Sequence, residues 1–183
     1  MSVAQPESWI SPEDYLAGEN DREEGPRHEY INGQVYSTVG VSRTHARITG
    51  NLFAVLHRAL RGSGCEAFAT DLKVRIQTAT EERFYYPDIQ VTCAKEAASH
   101  YNRSPCLIVE VLSPHTERID RTEKLAAYKL INSLQEYLLV SQDQHRVELH
   151  RRETGWRPEC LTDGDLLRLP SIDVEVPVAD IYV

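Results

Sequence analysis

A glutamate stands in the run Leu107-Ile108-Val109-Glu110-Val111-Leu112, whose other five residues are all apolar. Such a run reads as a strand buried on both faces. A carboxylate placed there gives up its hydration and needs a cation or strong donors in exchange. A second acid heads another β-rich run, Tyr85-Tyr86-Pro87-Asp88-Ile89-Gln90-Val91. Side chains alternate along a strand, so Glu110 shares a face with Ile108 and Leu112, and Asp88 shares one with Gln90. If the two strands are neighbours, Asp88 and Glu110 meet near one end and can hold a divalent cation. Oxygen donors suit Mg2+ or Mn2+. Such an ion activates a water and offsets charge on a phosphoryl oxygen, the chemistry of a metal-dependent hydrolase. Each acid also has a plainer reading. Asp88 could be an ordinary strand-start residue after proline, and Glu110 one half of a buried ion pair with an arginine.

The elements that must position these acids are legible from spacing. Ser11-Pro12-Glu13-Asp14 reads as a capped helix start with proline in the first turn. A hairpin follows: His28 to Ile31, the Asn32-Gly33 turn, then Gln34 to Thr38. From about Arg43 to Arg61 the period becomes helical, with Ile48, Leu52, Leu56 and Leu60 at successive i+4 steps and Gly62 and Gly64 as stops. Strands are expected at 67–76, 83–92, 105–112, 136–140, 147–151, 156–161 and 172–178, and a helix at 121–131. The pattern predicts one α+β domain over 1–183, with residues 1–10 a flexible lead-in and helices flanking a mixed sheet.

Composition sets limits on function. The chain has 183 residues, 41% of them hydrophobic, which fits one domain with a substantial core. No stretch approaches the roughly 20 apolar residues of a membrane span, and the N-terminus has no basic or apolar segment of a secretion signal. Cys65, Cys93, Cys106 and Cys160 are scattered without metal-type spacing, so reduced thiols in a cytoplasmic protein are expected. The net charge of −8 is the opposite of a general nucleic-acid-binding footprint. It leaves room for an acidic site that holds divalent ions.

Read in order, His28-Glu29-Tyr30-Ile31-Asn32-Gly33-Gln34-Val35, Tyr86-Pro87-Asp88-Ile89 and Ile108-Val109-Glu110-Val111-Leu112-Ser113-Pro114 form a pattern. It continues through Asp120, Lys124 and Tyr128 to Glu136-Tyr137-Leu138-Leu139-Val140. This set resembles the PD-(D/E)XK nuclease superfamily, and within it the Uma-two family of restriction-endonuclease-like proteins, over roughly 11–183. The resemblance implies a restriction-endonuclease-like core carrying the N-terminal β-hairpin. It also implies Asp88, Glu110 and the backbone carbonyl of Val111 as ligands of Mg2+ or Mn2+. The superfamily pattern places a lysine two residues after the second acid; here that residue is Leu112. Lys124 is the substitute the resemblance offers, where position alone would make it a solvated surface lysine.

Supporting roles fall to Tyr128, at i+4 from Lys124 on the same helix face, and to Gln90, beside Asp88. Asp120 opens Asp120-Arg121-Thr122-Glu123, a capping-box pattern, so it reads as a helix cap or a site acid. Glu29 reads as an exposed hairpin acid or a further metal ligand. His45 could face the site but reads more simply as a structural or surface histidine, and His115 and Arg118 as exposed loop residues. The expected activity is metal-dependent hydrolysis of DNA phosphodiester bonds, with Asp88, Glu110 and Lys124 as the catalytic set. A homodimer would supply the two sites that double-strand cutting needs. The alternative is an inactive nuclease fold kept as a binding or regulatory module.

Overall fold

The Asn32-Gly33 pair closes the first hairpin with φ of 49° and 94°, the left-handed conformations that a two-residue turn of type I′ requires. It joins β1 (His28–Ile31) to β2 (Gln34–Ser37). The computed structural model describes residues 9–22, 24–38 and 40–183, so most of the expected flexible lead-in lies outside the described residues. Within it, Ile10 N donates to Gly33 O at 3.1 Å, fastening the chain to the hairpin turn. Helix α1 (Pro12–Asn20) starts at Ser11, whose side chain accepts from Asp14 N as the sequence predicts.

Helix α2 (Arg43–Ala59) is capped by Ser42 and buries Ile48, Leu52 and Leu56. Full burial of one leucine contributes about 1.5–3 kcal/mol, so this stripe fixes which way the helix faces. Between α2 and the acidic strand come β3 (Glu66–Ala69), β4 (Lys73–Gln77), β5 (Glu82–Tyr85), β6 (Ile89–Thr92) and β7 (Tyr101–Asn102). The acidic strand itself is β8 (Pro105–Val111). After it come β9 (Glu136–Val140), β10 (Arg146–Arg151), β11 (Pro158–Thr162), β12 (Leu166–Leu169) and β13 (Val174–Pro177).

These strands build two mixed sheets, ordered β2-β1-β5-β4-β7 and β11-β10-β9-β8-β6-β3, plus the β12-β13 hairpin. Strand β8 runs antiparallel to β6 and parallel to β9. Its Val109 and Val111 pack under α2 with Ile89, Leu138 and Val140. Its Ile108 and Leu112 face the second core with Val74, Tyr85, Tyr128 and Tyr137. Burial on both faces is thus what the apolar run around Glu110 encodes.

The structure corrects the strands expected over 67–76 and 83–92, the helix expected over 121–131 and the reduced cysteines. The strand expected over 67–76 is two strands in different sheets. The chain turns at Thr70, whose φ of 52° is unfavourable for a β-branched residue; its N–H is held by Asp88 O at 3.0 Å. The chain also changes sheet between β5 and β6, through Tyr86-Pro87-Asp88.

The helix expected over 121–131 begins earlier, with α3 (Glu117–Ile119), a π-helical turn (Asp120–Lys124) and α4 (Leu125–Tyr128). Ser113 nucleates it, since its carbonyl accepts from Thr116 and Glu117 and its hydroxyl from Thr116 N. Asp120 is therefore inside the helical segment and caps nothing.

The expectation of reduced cysteines fails for Cys65 and Cys93, which form a disulfide. Pairing of β3 with β6 brings them together across 28 positions, a proximity that sequence spacing does not reveal. Cys106 and Cys160 remain free. Among the described residues no helix is long and apolar enough to cross a membrane.

Candidate active site

Pairing of Ile89 with Val109 and of Gln90 with Ile108 points Asp88, one residue before β6, toward Glu110. Asp88 Oδ2 accepts from Val111 N at 2.7 Å and lies 3.1 Å from His45 Nε2. His45 is buried on the stripe that carries Ile48 and Leu52, with Thr49 Oγ1 3.5 Å from its Nδ1. Its spacing to Ile48 and Thr49 was the available signal that it faces inward.

Glu110 is 4% exposed. Its Oε1 accepts from Lys124 Nζ at 3.0 Å and from Tyr128 OH at 2.9 Å. Lys124 reaches it from the π-helical turn and is itself buried. The plainer reading of Glu110 as an arginine's partner is thereby replaced: its cation is a lysine, and the lysine is not on the surface. Leu112, at the position where the superfamily pattern has lysine, lies in the second core.

The same ammonium lies 3.3 Å from Glu29 Oε1 and 3.5 Å from Asp120 Oδ1. Glu29 projects from β1 in the other sheet, and its Oε1 also accepts from Tyr86 N at 3.2 Å. Tyr137 OH donates to the backbone carbonyl of Asp120 at 3.0 Å, while Asp120 Oδ1 is buried without a hydrogen bond. Glu29, Asp120, Tyr128 and His45 therefore join Asp88, Glu110 and Lys124 in one cluster. Gln90 does not: its amide donates to Leu72 O and its oxygen accepts from Asn102. His115 and Arg118 are exposed. Tyr85, whose hydroxyl donates to Glu123 at 2.9 Å, and Tyr137 complete the wall. Sequence gave no sign of these two beyond their apolar bulk.

The electrostatics follow from four acids around one lysine. Burial pushes the Glu110 carboxyl well above the ordinary carboxylate range; Lys124 opposes this, and Asp120, Asp88 and Glu29 reinforce it. Burial likewise raises Asp120 despite Lys124. For Lys124 burial acts downward, yet Glu110, Glu29 and Asp120 together hold the ammonium well above its usual value. A single ion pair would lower the acid while raising the base. Here both rise, because at Glu110 burial, reinforced by Asp120, Asp88 and Glu29, outweighs the single ammonium.

The donor set is all oxygen, as a hard divalent cation requires. Among the described residues neither Glu110 Oε2 nor Asp88 Oδ1 receives a hydrogen bond, and the uncompensated negative charge favours a cation. Among them, too, no three His, Cys, Asp or Glu side chains form a ready-made cage. That suits Mg2+, which usually relies on one or two carboxylates, waters and substrate phosphates. The residues fit such an ion.

Comparison with known proteins gives the family and the fold. The Uma2 family model, described as "Putative restriction endonuclease", matches residues 12–179. Two uncharacterised proteins of Synechocystis sp. (strain ATCC 27184 / PCC 6803 / Kazusa) are similar over nearly their whole length. The protein slr1290 is 36% identical over 185 residues, 99% of this chain and 95% of its own. The protein sll1609 is 32% identical over 167 residues, 89% and 92%. A solved structure from Anabaena variabilis ATCC 29413, described as "a putative nuclease belonging to DUF820", shares the fold. Its TM-score is 0.74 at 20% identity, covering 94% of this chain and 97% of that one.

Proposed function

Because the chain belongs to the Uma2 family, we propose that it is a metal-dependent endonuclease hydrolysing DNA phosphodiester bonds. The observation that carries this reading is Lys124 Nζ at 3.0 Å from Glu110 Oε1, which supplies from the next helix the cation that Leu112 cannot. Asp88 and Glu110, with the carbonyl of Val111, would hold Mg2+ or Mn2+. That ion, when bound, supplies an activated water and offsets charge at the phosphate.

The chain's own groups do the rest. Val111 N and His45 fix the Asp88 carboxylate by its Oδ2. Tyr128 OH and Lys124 hold Glu110 by its Oε1. Lys124 Nζ is the group placed to orient the attacking water by donating to its oxygen and to offset the negative charge that grows there. A homodimer would let one encounter cut both strands.

The test is DNA cleavage by purified Asp88→Ala in Mg2+ or Mn2+. Loss of cleavage is expected, and cutting equal to the wild type overturns the mechanism. Leu112, standing where the superfamily pattern has lysine, favours one competing reading, a nuclease fold kept for binding or regulation. Calorimetric titration with Mn2+ separates the two: no binding at millimolar metal favours the second.

A further inference from the structure

Among the described residues Asp120 is the acid of the cluster with a buried oxygen that makes no hydrogen bond. Its Oδ1 accepts no hydrogen bond, although Lys124 Nζ stands only 3.5 Å away. The ammonium leans instead on Glu110 at 3.0 Å and Glu29 at 3.3 Å. A buried carboxylate oxygen that has an ion pair but no hydrogen bond is unusual, because such groups nearly always find a donor. It is also an acceptor within a small side-chain rotation of a donor.

We propose that Asp120 is the alternative seat of the Lys124 ammonium, a positioning residue that takes the lysine when Glu110 turns to a divalent cation. The inference rests on reading Asp88 and Glu110 as a cation site. At that site the Lys124 ammonium and a divalent ion share one Glu110 carboxylate, the ammonium at Oε1 and the ion at the open Oε2. Two cations at such separations in a poorly solvated pocket repel strongly, so the lysine must yield without leaving the site.

Three features make Asp120 the place it goes. The π-helical turn holds Asp120 and Lys124 at its two ends, both buried, and such turns recur at functional sites. Tyr137 OH anchors the Asp120 carbonyl at 3.0 Å, so the backbone behind the carboxylate stays put while the lysine moves. Glu29, the rival acceptor, is already engaged by Tyr86 N, whereas Asp120 Oδ1 is free to accept. The neighbouring Arg121 is turned to Glu117 and Glu148 and does not compete.

A double-mutant cycle on the full chain tests this, with Mn2+ as the probe and calorimetric affinity as the readout. Asp120→Asn should weaken Mn2+ binding about tenfold beside Lys124, and much less in the Lys124→Met background, a coupling in the usual range. Glu29→Gln should show the same penalty in both backgrounds. Metal-free Asp120→Asn should melt no lower than the wild type, since an unsatisfied buried carboxylate is removed; if it does not fold, Asp120→Ser carries the same cycle.

An equal penalty for Asp120→Asn in both backgrounds overturns the proposal, because Asp120 would then act only through its charge. Coupling confined to Glu29 overturns it as well, by making Glu29 the seat. Failure of the wild type to bind Mn2+ removes the cation site and this inference with it, a result distinct from the other two.

Discussion

Asp88 and Val111 are joined across two strands: Val111 N donates to Asp88 Oδ2 at 2.7 Å. One candidate ligand is thus bonded to the backbone immediately after the other, and the spacing of the two acids is fixed by the sheet as well as by their side chains. Asp88→Asn can still accept from Val111 N through its amide oxygen, so it separates charge from geometry. Its melting temperature should stay within a few degrees of the wild type, while Mn2+-supported DNA cleavage should fall at least ~100-fold. Parallel thermal melts and plasmid-nicking rates check this, and a variant that cleaves normally would show that shape, not charge, is needed at this position.

The pH dependence of metal-free stability follows from Glu110. Its carboxyl holds its proton well above the ordinary value of 4.5 in the folded protein, so the folded state binds more protons than the unfolded one across that interval. Stability from this group is therefore fully present below 4.5 and lost as pH rises through the folded value. As the pH falls toward 4.5, the metal-free wild type should gain thermal stability relative to Glu110→Gln, which lacks the titrating group. Matched slopes for the two proteins in differential scanning calorimetry would refute the assignment.

Tyr128→Phe removes one of the two donors to Glu110 Oε1 while keeping the ring between Tyr85 and Tyr137. Loss of a buried hydrogen bond of this kind costs about 1–2 kcal/mol. Urea unfolding should show a drop of that size with an unchanged slope. Cleavage should fall as well, because Lys124 alone then holds the carboxylate.

Gly33→Ala tests how the hairpin carries Glu29. Gly33 sits at φ 94°, and a Cβ there meets the Trp9 ring. A left-handed alanine costs about 1–2 kcal/mol before any steric clash is counted. Destabilisation at or above that level is expected in chemical unfolding, together with weakened cleavage if Glu29 is displaced from Lys124.

The Cys65–Cys93 disulfide closes a loop of 28 positions. On the chain-entropy account it stabilises by about 3–4 kcal/mol. Dithiothreitol should lower the melting temperature of the wild type and leave Cys93→Ser unmoved. Peptide mapping without reductant should recover Cys65 linked to Cys93.

The parts of the site that sequence discloses are those set by local chemistry. Alternation in the run around Glu110 correctly gave its face, and the apolar residues on both sides correctly gave its burial. The Asn32-Gly33 turn located the hairpin because left-handed backbone there narrows the choice of residues. For Asp120 the sequence left a helix cap and a site acid open; Ser113 starts the helix earlier, which removes the cap. Lys124 could be placed only through family resemblance, since a π-helical turn leaves no periodic trace over five residues. The disulfide was hidden for a related reason: pairing of β3 with β6 is a long-range choice that neither strand announces.

The crossing from β3 to β4 and the crossing from β5 to β6 touch each other, with Thr70 N bonded to Asp88 O at 3.0 Å. Glu29 belongs to one sheet and Glu110 to the other, so the seam between the sheets acts as a caliper whose jaws are these two acids. A change of core volume at Val74 or Ile108, which pack in that seam, would open or close the caliper without touching any charged group. The two apolar side chains thus set the separation of the acids from within the core.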